Sequence, residues 1–117
     1  MVWSCLVSIL PGMAQTEKLT DYVNPFVGTD GYGNVYPGAQ IPFGGIQISP
    51  DTDSRFYDAA SGYKYNHLTL MGFSLTHLSG TGIPDLGDFL FIPGTGEMKL
   101  EPGTHEDPDQ GYRSRYS

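Results

Sequence analysis

The chain reads NPFVGTDGYGNVYPGAQIPFGGIQISP between residues 24 and 50. This stretch holds six glycines and four prolines, and Asp30 is its single charged side chain. Glycine and proline both disfavour a helix here, because glycine loses much backbone entropy and proline lacks an amide donor. The same residues permit rigid turns and a close approach of the backbone to a ligand. The stretch therefore predicts either a ligand-facing loop or a tight corner, with no strand before Ile46.

Short β-strands are predicted after this loop. Residues 45–49 alternate apolar and polar side chains, which is typical of a strand with one buried face. Residues 62–65 alternate in the same way, and residues 68–75 form a denser apolar run. Between these runs, a weak helical turn is possible within residues 51–60.

Further strands are predicted toward the C-terminal end. Residues 89–92 are wholly apolar and stop at Pro93, as expected of a strand buried on both faces. Residues 97–100 and 111–116 are two more candidates. Short strands separated by glycine and proline predict a mainly all-β chain, organised as part of a β-sandwich.

Composition limits the classes of function. Sixteen glycines and 9 prolines among 117 residues raise the possibility of disorder, but an aromatic content of 13% argues for a folded core. Acidic residues outnumber basic ones by 13 to 6, and the basic residues are scattered along the chain. A nucleic-acid partner is not expected, because such sites need clustered basic side chains.

The N-terminal residues favour export. An apolar run over residues 2–10 precedes Pro11, and small residues at positions 12 and 14 precede Gln15, as at the end of a secretory signal peptide. The alternative is a buried N-terminal strand. The run is too short to span a bilayer. We therefore expect a signal peptide at residues 1–14 and a secreted or periplasmic domain from residue 15, which would lack the chain's single cysteine, Cys5.

The glycine-rich stretch offers chemistry suited to a sugar. Hydrogen-bonding side chains (Asp30, Asn34, Tyr36, Gln40) lie among aromatic faces (Tyr32, Tyr36). Such groups can bind the hydroxyls and the apolar face of a pyranose ring. A phosphate loop is disfavoured, because no Lys-Ser/Thr pair follows the glycines and no helix pattern begins there.

A second polar segment spans residues 76–88 and contains His77, Ser79, Thr81, Asp85 and Asp88. A Ser-His-Asp hydrolase is disfavoured here, because the Gly-x-Ser-x-Gly elbow is absent. Three possible ligands in this segment are too few to name a metal. We interpret its aspartates as partners of loop amides. His67 and His105 are interpreted as surface residues.

Four blocks of this sequence resemble glycoside hydrolase family 92, the calcium-dependent exo-acting α-mannosidases. They cover nearly everything from Asp21 onward and follow the order and spacing of the start of that family's N-terminal domain. The blocks are YVNPFVGTDGYGNVYPGAQIPFGGIQISPDT, SGYKY, GFSLTHLSGTGIPDLGDFLFIPGTG and GYRSRYS.

The resemblance implies a two-domain parent protein. It implies that residues 15–117 are an incomplete N-terminal β-sandwich, packed in the parent on an (α/α)6 barrel that lies outside this chain. Family members hydrolyse terminal mannose with inversion, using a glutamic acid and an aspartate base about 6.5–9.5 Å apart. Those acids, and the ligands of the Ca²⁺ that holds the mannose, come mainly from the barrel. No catalytic residue and no metal ligand is therefore assigned here; the expected partners are a mannose-containing glycan and the C-terminal catalytic domain.

The resemblance also implies a set of substrate-binding residues. Tyr57 stands where many members carry tryptophan, Tyr32 replaces a frequent histidine, and His77 ends a segment that often reads Ser-His-Thr-His. The alternative function is a stand-alone carbohydrate-binding or structural β-domain. The predicted substrate-binding residues are Gly28, Thr29, Asp30, Gly31, Tyr32, Gly33, Asn34, Tyr57 and His77.

Overall fold

The computed structural model describes residues 17–53, 57–80, 82–85 and 87–116. The predicted signal peptide at residues 1–14 and the candidate residue Thr81 lie outside these ranges. None of the described helices is long and apolar enough to cross a membrane.

Five short strands make two antiparallel sheets. The first sheet has the order β1–β3–β4, with Asp51 opposite Gly72 and Ser74 opposite Leu90. The second pairs β2 with β5, placing Thr69 opposite Arg115. The strands are β1 Ser49–Asp51, β2 Thr69–Leu70, β3 Gly72–Ser74, β4 Leu90–Phe91 and β5 Ser114–Arg115.

Short 3₁₀ turns complete the regular structure at Leu19–Tyr22, Tyr57–Ala59 and Pro108–Gln110. The described residues contain no α-helix. The mainly β class is therefore confirmed. The turn at Tyr57–Ala59 falls within the segment where a helical turn was thought possible.

Several strand predictions need correction. The run 68–75 divides into β2 and β3, because Met71 lies between strands that pair in different sheets. Residues 62–65 form no strand, since Gly62 turns the backbone at φ +89° and its carbonyl accepts hydrogen bonds from the amides of Thr52 and Asp53. Residues 97–100 form no strand either, and the predicted run 45–49 contributes only Ser49 to β1.

The strand β4 is exposed rather than buried on both faces. Leu90 is 36% exposed and Phe91 is 58% exposed. Within the described chain, β4 pairs only with β3 and is the edge of its sheet. An apolar run thus predicted a strand correctly, but the described residues bury neither face of that strand.

The centre of the described fold is largely polar. Arg113 donates hydrogen bonds from one guanidinium nitrogen to the Thr52 carbonyl and, at 3.2 Å, to the Thr69 hydroxyl. Its other terminal nitrogen lies 3.9 Å from the Asp53 carboxylate, and both of these charged side chains are fully buried. The buried apolar part of the described fold is small and consists of Ala59, Ala60, Tyr63 and Met71.

Two histidines join this polar centre, so the interpretation of His67 and His105 as surface residues is wrong. His67 Nδ1 lies 3.0 Å from the Thr52 hydroxyl, and His105 Nδ1 lies 2.8 Å from the Thr69 hydroxyl. Their rings are in contact, with centroids 4.0 Å apart and planes tilted by 49°. The loop at His105 and the β5 segment are thereby tied to residues near β1 and β2.

We expect the isolated 117-residue chain to self-associate. Phe89, Phe91, Met98 and Leu100 are each more than half exposed, and a groove of about 690 Å³ runs along this surface. Contiguous apolar surface and an unpaired strand edge both promote association. Light scattering after size exclusion should show oligomers. A control carrying Phe89→Thr and Phe91→Thr should associate less, whereas a sharp, reversible thermal transition from a wild-type monomer would contradict the prediction.

Candidate functional site

A polar cleft of about 280 Å³ lies where β1, the turn after Tyr57–Ala59 and the loop after β3 meet. Three carboxylates and one imidazole contribute to its wall. The lining residues are Asp51, Ala60, Ser61, Gly62, His77, Pro84, Asp85, Gly87 and Asp88.

Asn34 joins the glycine-rich loop to two walls of this cleft. Its side-chain oxygen accepts a hydrogen bond from the Ala60 amide at 3.2 Å, and its carbonyl accepts one from the Gly80 amide at 2.6 Å. The residue is buried and has φ +49°, a conformation that asparagine tolerates better than most residues. Asn34 therefore fixes the end of the loop against the cleft.

The loop itself is held by its own backbone. Val35 donates to the Gly28 carbonyl at 3.2 Å, and a side-chain carbon on Gly33 would lie 2.3 Å from that same oxygen. Thr29 is buried, with its hydroxyl donating to the Phe26 carbonyl. These three predicted residues thus shape the loop, and close packing explains the need for glycine at position 33.

The remaining predicted residues differ in their relation to the cleft. His77 lines it, whereas Tyr57 packs beside Gly82, near the cleft residues Pro84 and Asp85. Asp30, Gly31 and Tyr32 are exposed on the glycine-rich loop, where the Asp30 carboxylate accepts a hydrogen bond from the Gly31 amide at 2.8 Å. The structure brings only His77 of the predicted set into the cleft wall, and the substrate roles of the set stay predictions.

His77 is held at both ring nitrogens. Its Nδ1 lies 2.7 Å from the Gln47 carbonyl, which can only accept, so this nitrogen carries a proton. Its Nε2 lies 2.9 Å from Asp51 Oδ1 and 2.9 Å from the Ser74 hydroxyl. Burial by itself lowers the pKa of His77, but the hydrogen bond and charge of Asp51, with the Gln47 carbonyl, raise that pKa above its ordinary value.

This geometry excludes a Ser-His-Asp nucleophilic triad built on His77. In a triad the serine and the aspartate bond to opposite ring nitrogens, so that one nitrogen can accept the serine proton. Here Asp51 and Ser74 share Nε2, and Nδ1 is occupied by Gln47. His77 therefore orients Asp51 through Nε2 and is itself held by the Gln47 carbonyl through Nδ1.

Two cleft residues were missed from the sequence, Asp51 and Ser61. The Oδ2 atom of Asp51 and the hydroxyl of Ser61 are buried and have no hydrogen-bond partner among the described residues. Asp51 lies two residues beyond the alternating run 45–49 and ends strand β1. Its closeness to that run was a weak sequence signal for a carboxylate held on an ordered strand. Only the folded structure, and no sequence pattern, shows that these two atoms lack partners among the described residues.

At Asp88 the sequence predicts a loop amide as partner, whereas the structure places a side-chain hydroxyl there. Asp88 accepts a hydrogen bond from the Thr76 hydroxyl at 3.4 Å, while the Gly87 amide donates to the Thr76 carbonyl and hydroxyl. Thr76 therefore organises this side of the cleft. Among the described residues, no three His, Cys, Asp or Glu side chains are grouped so that they could hold a metal ion.

The raised pKa of His77 predicts a pH-dependent contribution to stability. A histidine that binds its proton more tightly when folded stabilises fully below its unfolded pKa of about 6.5, and loses that contribution as pH rises through the folded pKa. The difference in unfolding free energy between wild type and His77→Gln should therefore shrink as pH rises from 5 to 9. Urea unfolding across that range checks this, and a constant difference would contradict it.

Comparison with known proteins agrees with the mainly β fold. The model of the glycosyl hydrolase family 92 N-terminal domain matches residues 22–117. An uncharacterized secreted glycosidase of Arthroderma benhamiae is 36% identical over 73 residues, covering 62% of this chain and 9% of that protein. This chain therefore spans only a small part of the length of that relative.

The fold and the matches together define a domain of the glycoside hydrolase class. The chain belongs to glycosyl hydrolase family 92, as its N-terminal domain. The resemblance carried by the four sequence blocks is thus confirmed. That domain is a β-sandwich, in agreement with the two antiparallel sheets of the described residues.

Proposed function

We propose that this chain is the N-terminal substrate-pocket and structural domain of an exo-acting α-mannosidase, which removes terminal mannose from glycans with inversion. The observation that carries the proposal is the cleft at Asp51, Ser61 and His77, found in a domain of glycosyl hydrolase family 92. Its volume of about 280 Å³ is near the lower end of ligand pockets and suits a single sugar ring.

In this proposal the chain positions a mannose ring and leaves bond breaking to other residues. His77 holds Asp51 in place through Nε2 and is itself held by the Gln47 carbonyl. The general acid, the general base and the calcium ligands are assigned to a C-terminal catalytic domain of the same protein.

The exposed apolar groove supports the same arrangement. Its walls include Leu90, Ile92, Met98 and Leu100, and β4 presents an unpaired edge in the described chain. Burying this surface against the catalytic domain would stabilise the protein by about 25 cal/mol for each Å² of apolar area removed from water. A domain interface is also a favoured place for a ligand cleft.

Export to the periplasm or the outside of the cell is part of the proposal. The relative from Arthroderma benhamiae is named as secreted, and residues 1–14 have the pattern of a signal peptide. Glycans with terminal mannose would be met in either compartment.

The test is to assay the full-length protein that carries this domain on aryl α-mannosides, with aryl α-glucosides as the comparison. We expect hydrolysis of the mannosides only, with β-mannose as the first product seen by proton NMR. Dialysis against EDTA should abolish the activity, and added Ca²⁺ should restore it. Release of α-mannose first, or cleavage of another glycoside alone, would overturn the proposal.

The alternative, a stand-alone carbohydrate-binding domain, predicts a different result. Calorimetric titration of the 117-residue chain with mannose should then give heat at millimolar sugar. We expect no such heat, because the catalytic domain would supply half of the pocket. Clear binding by the chain alone, together with an inactive full-length protein, would favour the alternative.

A further inference from the structure

The floor of the cleft contains two buried polar atoms that have no hydrogen-bond partner in the described part of the chain, Asp51 Oδ2 and the Ser61 hydroxyl oxygen, each with less than 1 Å² exposed. Asp51 and Ser61 are themselves 5% and 2% exposed, and both line the cleft. Folded proteins rarely leave such groups unpaired, because each costs the free energy of its lost hydration. Two of them in one cleft suggest that a ligand supplies the missing partners.

We infer that Asp51 and Ser61 form a hydroxyl-binding pair, in which Asp51 Oδ2 accepts a hydrogen bond from a ligand hydroxyl and Ser61 bonds to the same or the adjacent hydroxyl. Neither residue is among the substrate-binding residues predicted from the sequence. The inference rests on the proposed function, which it deepens by naming the ligand contacts. Asp51 touches the ligand, whereas His77 is a positioning residue that acts through it.

The hydrogen-bonding capacity of the pair suits a neutral polyol. Asp51 Oδ1 lies 2.9 Å from His77 Nε2, which leaves Oδ2 as the carboxylate oxygen available to a ligand among the described residues. A sugar hydroxyl can donate to this oxygen, and a second hydroxyl can bond to Ser61. The bond would form away from bulk water, where a hydrogen bond is electrostatically stronger.

The local packing determines how the ligand reaches these atoms. Because so little of each atom is exposed, the floor must adjust slightly when the ligand enters. The Ser61 hydroxyl has no hydrogen bond in the described chain to resist rotation about its side-chain bond. Gly62 permits the close approach of Asp51, since a side-chain carbon there would lie 2.1 Å from Asp51 Oδ1.

The decisive variant is Ser61→Ala, assayed in the full-length enzyme on whichever glycoside the wild type cleaves. Removing an unpaired buried hydroxyl should leave thermal stability unchanged or higher. Losing the ligand contact should raise KM about five- to tenfold with little change in kcat, because the bond is made equally in the ground and transition states. A purely structural role would not produce a higher KM in an equally stable protein.

Ser49→Ala is the matched control, since Ser49 is equally buried, lies two residues before Asp51 and does not line the cleft. Its KM should stay within twofold of wild type. An unchanged KM for Ser61→Ala, an equal rise in both variants, or failure of Ser61→Ala to fold would each overturn the inference. The assay can use any glycoside that the wild-type enzyme cleaves. If the enzyme proves not to be a mannosidase, the test of Asp51 and Ser61 therefore remains valid.

Discussion

Replacing Arg113 with methionine is expected to lower the free energy of unfolding by about 3–5 kcal/mol, the usual cost of breaking a buried ion pair from one side. Methionine retains much of the apolar stem but none of the donors. The Thr52 carbonyl and the Thr69 hydroxyl would each lose a hydrogen bond, and the fully buried Asp53 carboxylate would lose its guanidinium neighbour at 3.9 Å. Urea denaturation of the full-length protein measures the effect.

Arg115 gives the matched control two residues further along the chain. Arg115→Met removes the same side chain from β5, but Arg115 is 62% exposed and its 3.7 Å contact with Asp109 is made in solvent. Exposed ion pairs contribute little, because water screens them and their long side chains lose entropy. We expect no measurable change. Equal stability of the two variants would show that the polar centre does not hold β5.

This polar centre marks the limit of sequence-based prediction for the fold. Residues 68–75 and 111–116 were predicted as strands because alternation and apolar runs are local signals. Asp53 and Arg113 are 60 residues apart in the chain, and nothing local indicates that they meet. The same holds for His105, which lies in a turn-rich polar segment. Nothing local in that segment indicates its contact with Thr69, 36 residues away.

The candidate site, like the fold, could be predicted only in part from the sequence. Composition identified the glycine-rich loop, and the structure explains the glycine at position 33 by its approach to the Gly28 carbonyl. His77 was identified as a site residue, but its role in orienting Asp51 follows from two hydrogen-bond distances that no pattern encodes. Ser61 was invisible, since a serine becomes notable only when folding leaves its hydroxyl unpaired.

Gly62→Ala should damage stability and ligand binding together. Gly62 has φ +89°, where an L-residue is strained by about 1–2 kcal/mol. An added side-chain carbon would lie 2.1 Å from Asp51 Oδ1 and 3.2 Å from the His77 ring, so the Asp51 carboxylate must shift and its bond to His77 is disturbed. We expect a total loss of about 3 kcal/mol or more, because strain and a disturbed buried pair act at one position.

Gly45→Ala is the control for this substitution, since an added carbon there meets nothing within 4 Å and its φ lies outside the left-handed region. It should behave as wild type in both urea denaturation and KM. Gly62→Ala should instead unfold at lower urea and show a higher KM, because the displaced carboxylate no longer faces the ligand. If Gly62→Ala is destabilised but keeps the wild-type KM, the substitution affects only the stability of the fold. Asp51 would then have no part in binding.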